Sequence, residues 1–248
     1  MKTMKKVTFL ALFLVTLGIT AQSVKLEYKL KKGDKFLIEM KMKQNMAPIM
    51  DMDIGLIMTT ETVGVKEGII ENKSQIKRMK MDISAQGETM SYDTSKKASE
   101  LTDEEKKMHE EIGPILDMVI YQTLDKTGEI LSQKTVPELK QADQLLNQNQ
   151  ITAMVYPKEA LKVGSTWDFN QSMNGIKMKA VYKVAKITSN TLFADISGTM
   201  EGVADAKLKG KLEIDLASGM PAKVNMDIDM GTSAMGLKMN IQMICKKM

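Results

Sequence analysis

The sequence contains few of the residues that most often carry chemistry or crosslinks. Its 248 residues include one Cys, one His and one Trp, and aromatic residues make up 4%. A single Cys, Cys245, excludes an internal disulfide, and a single His, His109, excludes a zinc site of the H-E-x-x-H kind. No G-x-S-x-G segment is present, so the nucleophile elbow of the α/β-hydrolases is excluded as well. We therefore predict a protein that is not an enzyme, with no catalytic residue, no metal and no cofactor.

A hydrophobic run occurs at the N-terminus. Residues 1–6 are basic, residues 7–19 are apolar, and Ala21 offers a cleavage point. This layout is typical of a secretory signal peptide, and the apolar run is too short to span a membrane. No Cys follows it, so the lipobox of a lipoprotein is missing. We predict that residues 1–21 are a cleaved signal peptide, that residues 22–248 contain no membrane span, and that the protein is periplasmic or secreted.

The charge balance argues against nucleic acid as a partner. Lys and Arg number 35 against 31 Asp and Glu, and removal of the three lysines in residues 1–21 leaves 32 against 31. A nucleic-acid interface usually shows a basic stripe interleaved with aromatic residues. Neither feature is visible, so we predict no nucleic-acid partner.

Methionine is abundant and falls at every second position of strand-like segments. The chain has 24 Met. In an extended strand, residues two apart project from the same face, so these segments combine a thioether face with a charged or polar face. Met is unbranched and flexible and fits irregular apolar guests. We predict that an apolar cavity is lined by Trp167 and by ten methionines: Met40, Met42, Met50, Met52, Met79, Met81, Met226, Met230, Met239 and Met243.

The same methionines have two other interpretations. They can form an ordinary packed core in place of Leu and Ile, or they can supply thioethers to Cu(I), for which Met40/Met42, Met79/Met81 and Met239/Met243 have suitable spacing. Trp167 can likewise anchor the core rather than contact a ligand. All of these hypotheses remain open from the sequence.

The alternation predicts a mainly β protein, with an antiparallel curved sheet or open barrel and a few short helices covering one side. We expect a helix over residues 99–111, ended by Gly113-Pro114, and a second helix over residues 137–146. The predicted strands cover residues 24–30, 36–46, 49–65, 69–84, 88–93, 121–124, 129–131, 167–173, 176–187, 191–200, 208–216, 222–230 and 237–245.

Two segments of the form D-x-D-x-G suggest calcium at first sight. They are residues 51–55 and 227–231. The calcium loop needs an oxygen ligand at its fifth position, where this chain has a Gly, and the position before it is Ile54 or Met230. We expect these acids to form the wet face opposite the methionines, His109 to be a solvated helix residue, and Cys245 to lie on the apolar face.

A nine-residue echo bears on the domain organisation. Residues 30–38 and 161–169 share the pattern L-K-x-G-x-x-aromatic-x-apolar, and both introduce a set of alternating strands. The chain is predicted to form a single β-rich domain over residues 22–248. Two related halves, about 22–98 and 156–248, joined by a helical segment 99–155, are the alternative.

The entry Tyr28-x-Leu30-x-x-Gly33-Asp34 and the block Tyr156-Pro157-x-x-x-Leu161-x-Val163-Gly164-x-x-Trp167 resemble motifs of an uncharacterised secreted family from Bacteroidota. That family has Val and Asp where this chain has Leu161 and Ser165. In layout alone, the chain is also similar to lipoprotein carriers of the LolA/LolB type, in which a curved sheet covered by helices holds acyl chains. These resemblances imply a β-rich exported protein.

We therefore predict a binding protein whose partner is an apolar small molecule, a lipid or an acylated protein. A structural or partner-binding envelope protein without ligand is one alternative, and a periplasmic copper-handling protein is the other.

Overall fold

The prediction of a mainly β protein with an antiparallel sheet is confirmed: the residues that the structure describes form one large antiparallel β-sheet and one α-helix. The fold is described by a computed structural model covering residues 23–46, 48–138, 154–173, 176–201, 206–230 and 236–248. Helix α1 spans Asp103–Asp117, after a short 3-10 turn at Ala98–Glu100. The strands are β1 Lys35–Met46, β2 Met50–Lys66, β3 Ile69–Ala85, β4 Glu88–Asp93, β5 Val119–Leu124, β6 Ile130–Val136, β7 Thr166–Met173, β8 Ile176–Ile187, β9 Thr191–Glu201, β10 Ala206–Asp215, β11 Pro221–Met230 and β12 Leu237–Lys247.

The strands form two meanders, β1 to β6 and β7 to β12, which are joined where β1 pairs with β12. The order in the sheet is β6-β5-β3-β2-β1-β12-β11-β10-β9-β8-β7, and β4 pairs with β3 beside this path. The pairing of β1 with β12 joins the first half of the chain to the last, with Phe36 opposite Lys247 and Met46 opposite Leu237. The sheet is not closed, because β6 and β7 do not pair with each other.

At two glycine positions of the second meander the neighbouring backbone approaches closely. A Cβ built on Gly198 of β9 would lie 2.1 Å from the Lys179 carbonyl oxygen of β8, and one on Gly210 of β10 would lie 2.4 Å from the Asn225 carbonyl oxygen of β11. Glycine in a strand interior often marks such a close backbone approach. Neighbouring strands therefore come closer here than a side chain would permit.

One end of the sheet is covered by extended chain, and we call it the capped end. It contains the β2–β3, β5–β6, β8–β9 and β10–β11 turns. Residues 23–34 run across it: Tyr28 N donates to the Lys126 carbonyl, Lys29 N to the Ser218 carbonyl and Gly33 N to the Thr62 carbonyl. A strand predicted over residues 24–30 is therefore wrong, since these backbone groups bond to separate turns and only Val24 forms a bridge, to Leu161.

The core lies at the capped end, against one face of the sheet. Leu26, Leu30 and Tyr156 from the extended segments pack with strand residues from both meanders in one cluster. The strand members include Phe36, Ile70 and Leu124 from the first meander and Trp167, Val184, Leu192, Leu208, Leu212 and Ile214 from the second. Burial of this apolar surface is the main stabilising contribution.

Helix α1 packs against β3 and β4. It begins with a capping box, in which Glu105 N donates to Thr102 Oγ1 and Thr102 N donates to the Glu105 carboxylate. The helix continues through Gly113 and Pro114 to Asp117, so the predicted break there is wrong. Pro114 falls in the last turn, where packing of α1 against β3 and β4 offsets the loss of one backbone donor.

The two echo segments adopt the same turn. Gly33 and Gly164 both have positive φ, 91° and 88°. Gly33 N donates to the Thr62 carbonyl and Gly164 N to the Val184 carbonyl, each at 2.8 Å, so each turn docks onto the strand that follows the one it introduces. The helix predicted over residues 137–146 lies largely outside the described residues, and Pro137 and Glu138 are not helical.

Candidate functional site

The register places all ten predicted methionines on one face of five neighbouring strands. Residues directly opposite each other in an antiparallel pair point to the same side. The pairings of β11, β12, β1, β2 and β3 therefore form four rows across the sheet, which we call the methionine face: Val224–Met243–Met40–Leu56–Met79, Met226–Ile241–Met42–Ile54–Met81, Ile228–Met239–Gln44–Met52–Ile83 and Met230–Leu237–Met46–Met50–Ala85.

Every position of the methionine face is apolar except Gln44. The rows contain no charged side chain, because the charged residues of these strands alternate with the apolar ones and project from the opposite face. The sequence missed Ile54, Leu56 and Ile241, which complete the rows. The pairings of β2 with β1 and β3 place Ile54 and Leu56 beside the methionines, and the pairing of β1 with β12 places Ile241 beside Met42.

Burial decreases across the methionine face from β11 to β3. Met226 and Met243 are buried, and Met230 and Met239 pack against the core cluster. By contrast, Met42 and Met81 are half-buried and lie outside the cluster, as do Met40, Met50, Met52 and Met79. The β1–β3 part of the face is therefore an apolar surface that is accessible to solvent.

The polar face behind these strands carries charged pairs. Lys43 Nζ lies 3.1 Å from Asp53 Oδ2, and Lys80 Nζ lies 2.7 Å from Asp82 Oδ2. Asp51, Asp53, Asp227 and Asp229 are exposed, as the sequence predicts. In the described residues no group of three or more His, Cys, Asp or Glu side chains is placed to hold a metal ion.

Two grooves lie near the β1–β2 turn, and most of the residues that line the larger one belong to the polar face. The larger, of about 630 Å³, is bordered by residues of β1, β2, β3, β11 and β12, including Lys43, Asp53, Asp227 and Lys238. The smaller, of about 190 Å³, lies beside the β1–β2 turn. Only Met50, Met52 and Met239 of the predicted methionines border either groove. The other seven line neither groove and belong to the sheet face itself.

Trp167 lies apart from the methionines, on β7 near the capped end. It is 6% exposed and belongs to the core cluster. Its ring stacks on that of Tyr182, with centroids 4.8 Å apart and planes inclined by 13°. Trp167 lies on the same side of the sheet as the methionine face, because successive opposite residues across β7 to β11 are Trp167, Tyr182, Ile196, Gly210 and Met226.

His109 has a partner that the sequence did not indicate. Its Nδ1 lies 2.8 Å from the hydroxyl of Tyr92, a residue of β4 that is fully buried. Two ion pairs flank this contact: Arg78 with Asp93, and Lys96 with Glu105. Hydrogen bonds from Arg78 hold the pKa of the Asp93 carboxyl well below its usual range. The Tyr92–His109 contact joins α1 to β4, the Lys96–Glu105 pair joins α1 to the loop after β4, and the Arg78–Asp93 pair joins β3 to β4.

Cys245 is half-buried and packs against the core cluster on the apolar side, opposite Ile38. Burial raises the pKa of its thiol to about 11. No helix in the described part of the chain has the length and apolar character needed to cross a membrane.

Fold and site together define a mainly β protein with an open antiparallel sheet, one side of which is apolar. No protein-family model matches the sequence, and no curated protein matches it. The Bacteroidota family therefore remains a prediction. A solved structure, titled "Lipid-protein interactions in lipovitellin", is similar in fold, with a TM-score of 0.53 and 8% identity. The similarity covers 87% of this chain and 25% of the lipovitellin chain, so this protein spans about a quarter of the length of that neighbour.

Proposed function

We propose that the protein is an exported, non-enzymatic carrier that holds an apolar ligand, such as the acyl chain of a lipid or of an acylated partner, against the methionine face. The observation that carries this proposal is the half-buried state of the methionine face on β1, β2 and β3. An apolar sheet face that extends over several strands is ordinarily covered, because leaving apolar surface in water forgoes about 25 cal/mol per Å² of stabilisation. A ligand that covers the face recovers that free energy.

The chemistry of the face suits a chain-like guest. Its side chains are flexible thioethers with Ile and Leu between them, so the surface can adjust to a chain without a fixed shape. From Met226 to Met81 the row crosses four strand spacings, about 19 Å at roughly 4.8 Å each, which is room for a long alkyl chain. The likeness in fold to lipovitellin, whose structure is titled for its lipid interactions, supports the proposal.

The proposal is tested with a matched pair of double variants and a pyrene-labelled dodecyl chain. Met42→Gln with Met81→Gln changes two half-buried residues of the methionine face. Ile57→Gln with Ile244→Gln makes the same kind of change on the polar face, since both residues lie opposite Glu39. We expect the first pair to weaken probe binding about tenfold, through loss of apolar contact, and the second to leave it within twofold.

Equal effects of the two double variants would contradict the proposal. Absence of probe binding to the wild-type protein would favour the structural alternative. Stoichiometric Cu(I) uptake that the methionine variants abolish would favour the copper alternative. Native mass spectrometry of protein purified from its own envelope adds an independent test, because a co-purifying lipid is expected.

A further inference from the structure

Methionine is distributed unevenly between the accessible and the buried parts of the apolar side. On β1, β2 and β3 the methionine face contains half-buried methionines, which we call the accessible methionines: Met40, Met42, Met46, Met50, Met52, Met79 and Met81. Among the buried members of the core cluster in the described residues, Met154 and Met226 are the methionines, and the others are Leu, Ile, Val, Ala and aromatic residues. Thioethers are therefore concentrated where solvent reaches them.

A thioether differs from the side chain of Leu chiefly because it can be oxidised. Met and Leu are both apolar and close in volume. When a thioether meets a peroxide, the sulfur lone pair attacks one peroxide oxygen, an S–O bond forms, and the O–O bond breaks. The departing hydroxide takes the proton of the transferred hydroxyl and leaves as water, so the sulfur loses two electrons and the peroxide gains them. The product is a sulfoxide, a polar side chain at the same position.

The thiol of the chain is a weak competitor for the oxidant. Cys245 is the only Cys of the sequence, and it is half-buried. Burial raises the pKa of its thiol to about 11. Peroxides react with the thiolate, which is scarce at neutral pH when the pKa is this high. The sulfur chemistry that this side of the sheet offers to an oxidant is therefore that of the thioethers.

Resting on the proposed function, we propose that the accessible methionines are a modification site at which an oxidant of the peroxide class forms sulfoxides, and that this oxidation releases the bound ligand. Each sulfoxide removes apolar contact area from the ligand, because it replaces an apolar group with a polar one. Met226 and Met243 are buried and stay reduced, so the fold persists while its surface changes. Methionine sulfoxide reductases reverse the reaction, so ligand binding is restored afterwards.

The first test locates the sulfoxides and needs no ligand. The purified protein is treated with hydrogen peroxide, the reaction is stopped at intervals with free methionine, and the digested peptides are analysed by mass spectrometry. We expect the accessible methionines to oxidise at least about tenfold faster than Met118 and Met154, which are 1% and 8% exposed. Met248 is 71% exposed and gives the rate of a freely accessible thioether.

The second test measures the affinity for the pyrene-labelled dodecyl chain before and after oxidation, and its result is the ratio of the two affinities. We expect oxidation to weaken binding to the wild-type protein at least about tenfold, and methionine sulfoxide reductases of both stereospecificities to restore it. The ratio should stay below about twofold in the variant that lacks the oxidisable groups, which combines Met40→Leu, Met42→Leu, Met46→Leu, Met50→Leu, Met52→Leu, Met79→Leu and Met81→Leu. The control variant should keep the wild-type ratio, and it combines Met118→Leu, Met154→Leu and Met248→Leu.

The outcomes separate the two proposals. Sulfoxides that form at Met248 but not on the methionine face would overturn the oxidation proposal and leave the carrier proposal standing, as would an oxidised face that binds the probe unchanged. Loss of binding that accompanies unfolding, seen in the fluorescence of Trp167, would overturn it too. A wild-type protein that binds no probe before oxidation would overturn the carrier proposal and ligand release, and the sulfoxide positions alone would then decide whether the face is a modification site. The reductase measurement uses the wild-type protein, so it decides the matter even where the combined Leu variant fails to fold.

Discussion

Two methionines of the same row should differ sharply in their contribution to stability. Met226 is 9% exposed and belongs to the core cluster, whereas Met42 is half-buried and lies outside it. Ile241 separates them in the row. The comparison therefore holds the row and the residue type constant while burial changes.

The expected magnitudes follow from burial. Full burial of a Met side chain stabilises by about 1.5–3 kcal/mol, and an amide buried without a partner costs a further 1–3 kcal/mol or so. We expect Met226→Gln to lower the free energy of unfolding by about 3 kcal/mol. Met42→Gln forfeits only part of the transfer term, and its amide still reaches water, so we expect a loss of about 1 kcal/mol.

The assay is urea unfolding followed by the fluorescence of Trp167. The m-value is expected to be the same for all variants, so that a shift of the midpoint reports a change in stability. Met226→Leu and Met42→Leu serve as controls, because they preserve apolar volume and should each cost under about 1.5 kcal/mol. Losses of equal size for the two Gln variants would refute the argument. That result would mean that the β1–β3 part of the methionine face is as well covered as the core.

Three further predictions concern the scaffold. Gly198→Ala should lower the free energy of unfolding by about 1–3 kcal/mol in the same urea assay, since its Cβ would lie 2.1 Å from the Lys179 carbonyl oxygen. Gly55→Ala is the control and should be neutral or stabilising, because its Cβ meets nothing nearer than 3.9 Å. Equal losses of stability for the two variants would contradict the close approach at Gly198. Hydrogen bonds from Arg78 lower the pKa of Asp93, so the contribution of the Asp93 carboxylate to stability should be complete above about pH 4 and decline as the pH falls further. Asp93→Asn should therefore flatten the acid limb of a curve of unfolding free energy against pH. An unchanged acid limb would argue against this contribution. With its thiol pKa raised to about 11, Cys245 should react with a disulfide reagent at pH 8 far more slowly in the folded protein than in urea, and equal rates would show that it is not shielded.

Local sequence pattern was sufficient for most of the secondary structure. Alternation of apolar and polar residues marks a strand wherever one face is buried, and it located β1 to β3 and β7 to β12 to within a few residues. The pattern failed where tertiary contacts outweigh it. Residues 24–30 alternate like a strand but bond to separate turns, and α1 continues through Pro114 because packing against β3 and β4 offsets the lost donor.

The sequence alone determined which residues are apolar and on which side of its own strand each one lies. That was enough to select the ten methionines as a set, because period two is a property of each extended segment by itself. Which strands are neighbours depends on long-range hydrogen bonding, and the pairing of β1 with β12 joins residues about 200 positions apart. Only this pairing joins the methionines of β1 to β3 with those of β11 and β12 into four rows. Whether a methionine in a row is buried, as Met226 is, or half-buried, as Met42 is, follows from how the whole chain packs, because coverage is not a property of a single strand.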